Sequence, residues 1–113
     1  MKFNEYQLKA IKFDLFNPGT NVTGSGLMEK VLGLVGESGE TADKFKKILR
    51  DKCGQIDAED RLEIIKELGD VLWYASAIAT YLDTSFDDVA QINLKKLEDR
   101  RKRDKLHGAG DER

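Results

Sequence analysis

Two pairs of carboxylates stand three residues apart in segments that are otherwise largely apolar. Glu37 and Glu40 lie in GLVGESGE, and Glu67 and Asp70 lie in ELGD. Residues three apart on an α-helix lie one turn apart on the same face, so each pair presents two carboxylates in one direction. If the two helices pack antiparallel, the pairs can come to the same level and point at each other.

Four carboxylates that converge in a partly buried site repel one another, and this repulsion has to be neutralised. Protonation is one way, since crowding of like charges raises carboxylate pKa values. A hard divalent cation is another, because oxygen ligands suit Mg²⁺ or Mn²⁺, whereas zinc favours imidazole and thiolate. The chain has one His, His107, and one Cys, Cys53, too few for a typical zinc site. We interpret the four carboxylates as ligands of Mg²⁺, for which Mn²⁺ can substitute.

A basic stripe near the end of the chain is the natural counterpart of this acidic cluster. Asn93, Lys96, Arg100 and Arg103 follow at i, i+3, i+7 and i+10, which is one face of a helix. Facing the carboxylates, the stripe could hold the distal phosphates of a nucleotide. The alternative is a solvated helix end that the helix dipole favours.

Three glycines accompany the first acidic pair. Gly33, Gly36 and Gly39 step along one side of the same helix, although each costs roughly 1 kcal/mol relative to alanine in a helix interior. Their lack of side chains predicts that a neighbouring backbone or a bound phosphate approaches closely beside Glu37 and Glu40.

The elements that must position these residues are four helices, and no strand is predicted. The first has a capping box at Asn4 and Gln7 and extends to about Phe16. A Gly- and Asn-rich loop over 17–26, with the composition of a mobile lid, follows it. The second helix is expected from about Leu27 to Arg50, because apolar residues recur there at three- and four-residue spacing.

Asp57 is the predicted cap of the third helix, and Thr84 or Ser85 that of the fourth. The third helix is apolar over so wide a face that it needs cover from outside the chain. We therefore predict an all-α, four-helix bundle-like domain over residues 1–113, with an irregular tail at 106–113, completed by self-association. Trp73 and Tyr74 could stack on a base, although aromatics in so apolar a helix more often belong to the core or to a subunit interface.

The totals exclude several classes of function. With 19 basic and 21 acidic residues among 113, the chain has no net drive toward nucleic acid or an anionic membrane. It has neither an apolar run of bilayer length nor an N-terminal signal peptide. The single cysteine fits a reducing compartment. We expect a cytoplasmic protein without nucleic-acid or membrane partners.

The acidic motifs resemble those of a known family. G-E-S-G-E followed by E-L-G-D resembles the E-x-x-E…E-x-x-D signature of the all-α nucleoside triphosphate pyrophosphohydrolases typified by MazG. The closing N-L-K-K-L-x-x-R-x-x-R…G-x-G-D-x-R resembles the end of small MazG-like proteins. The likeness covers the chain from about Leu27 onward.

This resemblance implies Mg²⁺-dependent cleavage of a nucleoside triphosphate between the α and β phosphates, in a homodimer or homotetramer. It implies that the metal ligands are Glu37, Glu40, Glu67 and Asp70, and we favour Glu37 as the residue that orients the water. The residues counted as substrate-binding are Lys47, Asn93, Lys96, Arg100 and Asp111. The competing hypothesis is a non-catalytic helical oligomerisation or binding module, in which the acidic pairs are salt-bridge partners of Lys44, Lys47 and Lys66.

Overall fold

Four α-helices form most of the chain in the computed structural model, which describes residues 1–16, 25–104, 108, 110 and 111. The helices are α1 (Phe3–Ala10), α2 (Ser25–Lys52), α3 (Ala58–Tyr81) and α4 (Phe86–Lys102), and one 3₁₀ turn (Ile11–Phe13) follows α1. The described residues contain no strand, so the predicted all-α class is confirmed. The predicted lid lies outside the described residues except for Ser25 and Gly26, which belong to α2; His107 and most of the predicted irregular tail also lie outside them.

The first helix begins differently from the prediction. α1 starts at Phe3, and the backbone N–H of Lys2 donates to the Glu5 carboxylate at 2.8 Å. The capping box predicted at Asn4 and Gln7 is therefore wrong. The α-helix is also shorter than predicted, since the 3₁₀ turn takes over after its eighth residue.

Asn4 and Gln7 instead attach α1 to the turn between α3 and α4. The side-chain oxygen of Asn4 accepts a hydrogen bond from the backbone N–H of Asp87 at 3.0 Å. Gln7 is buried, and its amide donates to the Thr84 carbonyl at 2.9 Å while accepting from the Phe86 N–H at 2.8 Å. These tertiary partners take the two side chains away from local capping.

The hairpin of α2 and α3 is the main body of the fold. α2 ends where Cys53 and Gly54 take positive φ angles of 53° and 79°, and Gly54 N–H bonds back to the Ile48 carbonyl at 3.1 Å. The predicted cap of α3 is confirmed, because Asp57 accepts from the Asp60 N–H at 2.8 Å. This short connection folds α3 back antiparallel along α2.

α4 packs against α1 and the end of α3 rather than closing a bundle against α2. Ser85 is its cap, accepting from the Asp88 N–H at 3.0 Å. The Phe86 ring lies 5.2 Å from that of Phe3 and 6.4 Å from that of Tyr6, measured between ring centroids.

A buried ion pair that the sequence did not reveal ties the end of the first helical segment to the hairpin. Lys30 Nζ lies 2.7 Å from an Asp14 carboxylate oxygen, and the side chains are 3% and 1% exposed. The Tyr81 hydroxyl donates to the same carboxylate at 2.7 Å. Lys30 also contacts Glu29, and its Nζ lies 4.8 Å from the Phe16 ring centroid. Hydrogen bonds and aromatic faces thus compensate a charge removed from water.

Both long helices leave apolar side chains exposed. On α3 these include Leu62, Ile65 and Leu68, each more than half exposed, and on α2 Leu32 and Val35 are about two-thirds exposed. None of the helices in the described part of the chain combines the length and hydrophobicity that crossing a bilayer requires.

Candidate metal centre

Three of the four predicted metal ligands meet between α2 and α3. Glu37 comes from α2, and Glu67 and Asp70 come from successive turns of α3. One carboxylate oxygen from each residue lies within 4.8 Å of the other two. Antiparallel packing of the hairpin thus brings the second acidic pair level with Glu37, as the three-residue spacing predicted.

Glu40 lies outside this three-residue group, and its side chain is exposed. Its charge still acts on the cluster. The pKa of Glu37 is raised above its usual value, first by partial burial and then by the negative charges of Asp70, Glu67 and Glu40. The negative charges of the other three carboxylates thus all disfavour the ionised form of Glu37.

Lysines neutralise only part of this charge. Lys44 Nζ lies 3.6 Å from Glu67 and 3.7 Å from Glu63, while Lys66 pairs with Glu63 at 2.7 Å. The salt-bridge hypothesis is therefore correct for Lys44 with Glu67. Lys66 does not pair with the cluster but with a carboxylate one turn away from it.

The donor set fits a hard divalent cation. All three groups are carboxylates, the ligands that Mg²⁺ and Mn²⁺ prefer. One oxygen from each carboxylate lies within 4.8 Å of the other two, so the three groups converge on a volume that a divalent ion could occupy. A divalent ion held by Glu37, Glu67 and Asp70 would remove the repulsion that raises the pKa of Glu37.

One of the three glycines beside the cluster has a close neighbour, although that neighbour is a side chain rather than the predicted backbone or phosphate. A Cβ built at Gly33 would stand 2.1 Å from Cε1 of Tyr74, so the Tyr74 ring occupies the space of the missing side chain. Gly36 and Gly39 have no non-local atom of the described chain within 4 Å of such a Cβ. For these two glycines the expected approach would have to come from outside the described residues.

The aromatic residues after Asp70 are engaged in packing. The Trp73 indole N–H donates to the Ala10 carbonyl at 3.0 Å, and its ring meets that of Tyr74 edge-on, with 5.0 Å between centroids. Burial, followed by the charge of Asp70, raises the pKa of Tyr6. α1 therefore covers α3 close to the carboxylates, a placement with no signal in the sequence.

The predicted substrate-binding residues fall into two places. Lys47 lines a groove of about 290 Å³ with Lys44 and Lys52 where α2 and α3 meet their connection, and it pairs with Asp43 at 2.7 Å. Asn93 is exposed on α4, and none of the described residues that line this groove belongs to α4.

The other three form a group of their own at the end of α4. Lys96 Nζ lies 3.0 Å from the Asp111 carboxylate, and Arg100 Nη2 lies 3.2 Å from the same oxygen. Within the described residues, no hydrogen bond or ion pair joins this group to the carboxylates of the hairpin.

Comparison with known proteins agrees with the acidic motifs. A family model described as the MazG nucleotide pyrophosphohydrolase domain matches residues 27–104, which include all four predicted carboxylates. The chain is also 44% identical over 115 residues to a protein of Mycobacterium phage L5 whose name, Gene 37 protein, states no activity, and the match covers 100% of both chains. No solved structure matches significantly. The resemblance indicated by the sequence is thus confirmed, and the chain belongs to the MazG nucleotide pyrophosphohydrolase family.

Proposed function

We propose that this protein is a Mg²⁺-dependent nucleoside triphosphate pyrophosphohydrolase that cleaves between the α and β phosphates. The products are a nucleoside monophosphate and pyrophosphate. The observation that carries the proposal is the meeting of Glu37, Glu67 and Asp70 within 4.8 Å of one another, inside the segment that the family model matches.

Glu67, Asp70 and Glu40 hold the metal in this proposal, and Glu37 joins them while orienting the attacking water. Glu40 is exposed beside the cluster, and its charge already acts on Glu37. When bound, Mg²⁺ neutralises charge on the phosphate oxygens and increases the acidity of bound water. Mn²⁺, with the same preference for oxygen ligands, can substitute.

In the reaction, a water oxygen bonds to the α-phosphorus, and the bond from that phosphorus to the α–β bridging oxygen breaks. Pyrophosphate leaves with the electron pair of that bond, and Glu37 accepts the proton of the water. Because Glu37 lies within the cluster, its carboxylate would be close enough to a water at the metal to take that proton.

The cationic side chains bind the phosphates that do not react. Lys47 lines the groove near the connection of α2 and α3, and Lys96 and Arg100 form the group at the end of α4. Asn93 lies one turn before Lys96 on the same helix face. Asp111, predicted to contact substrate, touches both of these cations.

We further propose that the protein acts as a homodimer or as a homotetramer of two dimers. The chain exposes 8386 Å² of surface, whereas a folded monomer of its 12.8 kDa mass is expected to expose about 6,300 Å². If each of two chains buried this excess of about 2,000 Å², the interface would total about 4,000 Å², which is within the range of obligate homodimers. Sedimentation equilibrium tests this, and a monomer at micromolar concentration would contradict it. We also propose that the protein acts in the cytoplasm.

Product analysis in H₂¹⁸O tests the reaction. Standard, deoxy and damaged nucleoside triphosphates are incubated with Mg²⁺, and the products are identified by mass spectrometry. We expect pyrophosphate, with ¹⁸O only in the nucleoside monophosphate, because water attacks the α-phosphorus. Release of orthophosphate would contradict the proposal.

Variants connect the reaction to the cluster. Glu67→Gln and Asp70→Asn should each lower kcat by at least about 10²-fold, since each removes a charge that holds the metal. Glu63→Gln is the matched control, because Glu63 lies on the same helix one turn from Glu67 but outside the cluster. Normal turnover by both cluster variants would refute the site.

The binding-module hypothesis retains one specific observation, the pairing of Lys44 with Glu67 at 3.6 Å. Under that hypothesis no Mn²⁺ binds, and removing the carboxylates disturbs assembly. Calorimetric titration with Mn²⁺, together with sedimentation of the same variants, distinguishes the two functions.

A further inference from the structure

Lys96 and Arg100, the cationic group at the end of α4, are contacted by Asp111. Lys96 Nζ lies 3.0 Å from Oδ1 of Asp111, and Arg100 Nη2 lies 3.2 Å from that same oxygen. Arg100 Nη2 also donates to the backbone carbonyl of Asp111 at 2.7 Å. Gly110, with a φ of +81°, supplies the left-handed conformation that precedes these contacts. One carboxylate oxygen therefore serves two cations.

Only part of the Arg100 guanidinium group is hydrogen-bonded in this arrangement. The residue is 4% exposed, and its buried Nε has no hydrogen-bond partner among the described residues. In a guanidinium group, the Nε–H and one Nη–H lie on a common edge that binds the two oxygens of an anion together. At Arg100 only one donor of this edge is bound.

Another arginine of the chain shows the complete mode. Arg50 donates from Nε to one oxygen of Asp51 at 2.8 Å and from Nη2 to the other at 2.9 Å. Arg103 directs both Nε and Nη2 to a single oxygen of Asp99, each at 2.8 Å. The Nε–Nη2 edge thus binds carboxylates fully where the geometry allows. Asp111 does not reach that geometry at Arg100.

A phosphate group has what Asp111 lacks. Its oxygens can accept from both donors of the Arg100 edge while a further oxygen contacts Lys96. The Asp111 side chain is 82% exposed, so its carboxylate can return to water without a large loss. The buried Nε of Arg100, without a partner, thus lies beside an exposed carboxylate that can be displaced. This arrangement is expected of a site that binds another anion more completely.

We propose that Asp111 is an internal competitor, which occupies an oxyanion site formed by Lys96 and Arg100 and is displaced by a phosphate group. This inference rests on the proposed function, because the phosphate is that of the triphosphate substrate or of the pyrophosphate product. It assigns Asp111 to regulating access to that site rather than to contacting the substrate.

Titration of the full-length protein with inorganic pyrophosphate, in EDTA and followed by calorimetry, tests the competition without catalysis. Asp111→Asn keeps the shape of the side chain but removes the competing charge. We expect it to bind pyrophosphate about two- to fivefold more tightly than the natural protein, the upper part of the range that an exposed ion pair contributes. Glu98→Gln, an exposed change of equal charge on α4, is the matched control and should shift the affinity less than twofold.

A second pair of variants isolates the guanidinium edge. Arg100→Lys in the Asp111→Asn protein keeps the charge but lacks the edge, and should abolish the gain; Arg101→Lys, an exposed neighbour, should preserve it. Repeating the titration with ATP in EDTA tells whether nucleotide phosphates reach the site as free pyrophosphate does.

Equal or weaker pyrophosphate binding by Asp111→Asn relative to Glu98→Gln would overturn the inference, as would the absence of pyrophosphate binding in every variant. Both results are read without Mg²⁺ and without turnover. They therefore remain separate from the outcome of the H₂¹⁸O experiment, which decides the proposed hydrolysis.

Discussion

Gly33 of α2 lies against the ring of Tyr74 of α3, so closely that a Cβ at position 33 would stand 2.1 Å from Cε1 of the tyrosine. Non-bonded carbon atoms pack at about 3.5–4.0 Å, so no side chain fits between the two helices here. Glu37 lies one turn after Gly33 on the same helix. This glycine therefore allows the close approach of α2 and α3 beside the carboxylates.

Gly33→Ala should lower the free energy of unfolding by about 1–2 kcal/mol, because the overpacking cost exceeds the gain in helix propensity. Urea denaturation measures the change. Tyr74→Ala supplies the matched background, since it removes the ring that the new methyl group would meet. In that background Gly33→Ala should be neutral or stabilising. Equal losses in both backgrounds would show that the contact with Tyr74 is not the cause.

Removing one partner of the buried ion pair should be far more costly than removing an exposed one. Lys30→Met leaves the Asp14 carboxylate, with its side chain 1% exposed, without its cation. We expect a loss of about 3–5 kcal/mol in unfolding free energy. Lys66→Met is the control, because its pair with Glu63 is largely exposed, and it should cost less than about 1 kcal/mol. Similar losses for the two variants would contradict this reading of the network.

The same network predicts a loss of stability in alkaline solution. Burial, and then the hydrogen bond to Asp14 and its charge, raise the pKa of Tyr81 to about 12. The unfolded chain loses this proton near pH 10. The raised pKa therefore contributes stability that is complete below pH 10 and disappears as the pH rises toward 12.

Unfolding free energies measured by urea denaturation test this prediction, from pH 9, below the ionisation in the unfolded chain, to pH 12, near that in the folded protein. In Tyr81→Phe the decline should be shallower. It should not vanish, because the pKa values of Lys30, Tyr6 and Tyr74 are also raised. An unchanged slope in the variant would exclude Tyr81 as a source of the decline.

Local patterns in the sequence account for the helices and for much of the site. Asp57 and Ser85 were predictable caps because the bonds they accept come from three residues ahead. The meeting of Glu37 with Glu67 and Asp70 followed from their spacing once the hairpin folded antiparallel.

Long-range partners account for what the sequence did not predict. Asn4 and Gln7 are residue types typical of a capping box. They instead bind residues between the end of α3 and the first turn of α4, and no local pattern specifies these partners. The pairing of Asp14 with Lys30 likewise depends on how two separate segments pack. Sequence spacing specifies which residues share a helix face, but not which remote element reaches that face.

Substitution of Glu37 should have opposite effects on the unfolding free energy without and with metal. Its raised pKa means that ionising Glu37 beside Asp70 and Glu67 destabilises the folded, metal-free protein as the pH rises through that pKa. At pH 7 and in EDTA, Glu37→Gln should therefore raise the unfolding free energy, by roughly 0.2–0.5 kcal/mol for each like-charge pair removed. With Mg²⁺ at ten times its dissociation constant, the natural protein gains about 1.4 kcal/mol in unfolding free energy. The variant lacks most of this gain, so the natural protein becomes the more stable of the two.

Below about pH 4, where glutamate is largely protonated in both the folded and the unfolded state, the difference between natural protein and variant in EDTA should vanish. Thermal denaturation under the three conditions measures this, with Glu63→Gln as the control, and the same order in EDTA and in Mg²⁺ would refute a metal held by Glu37.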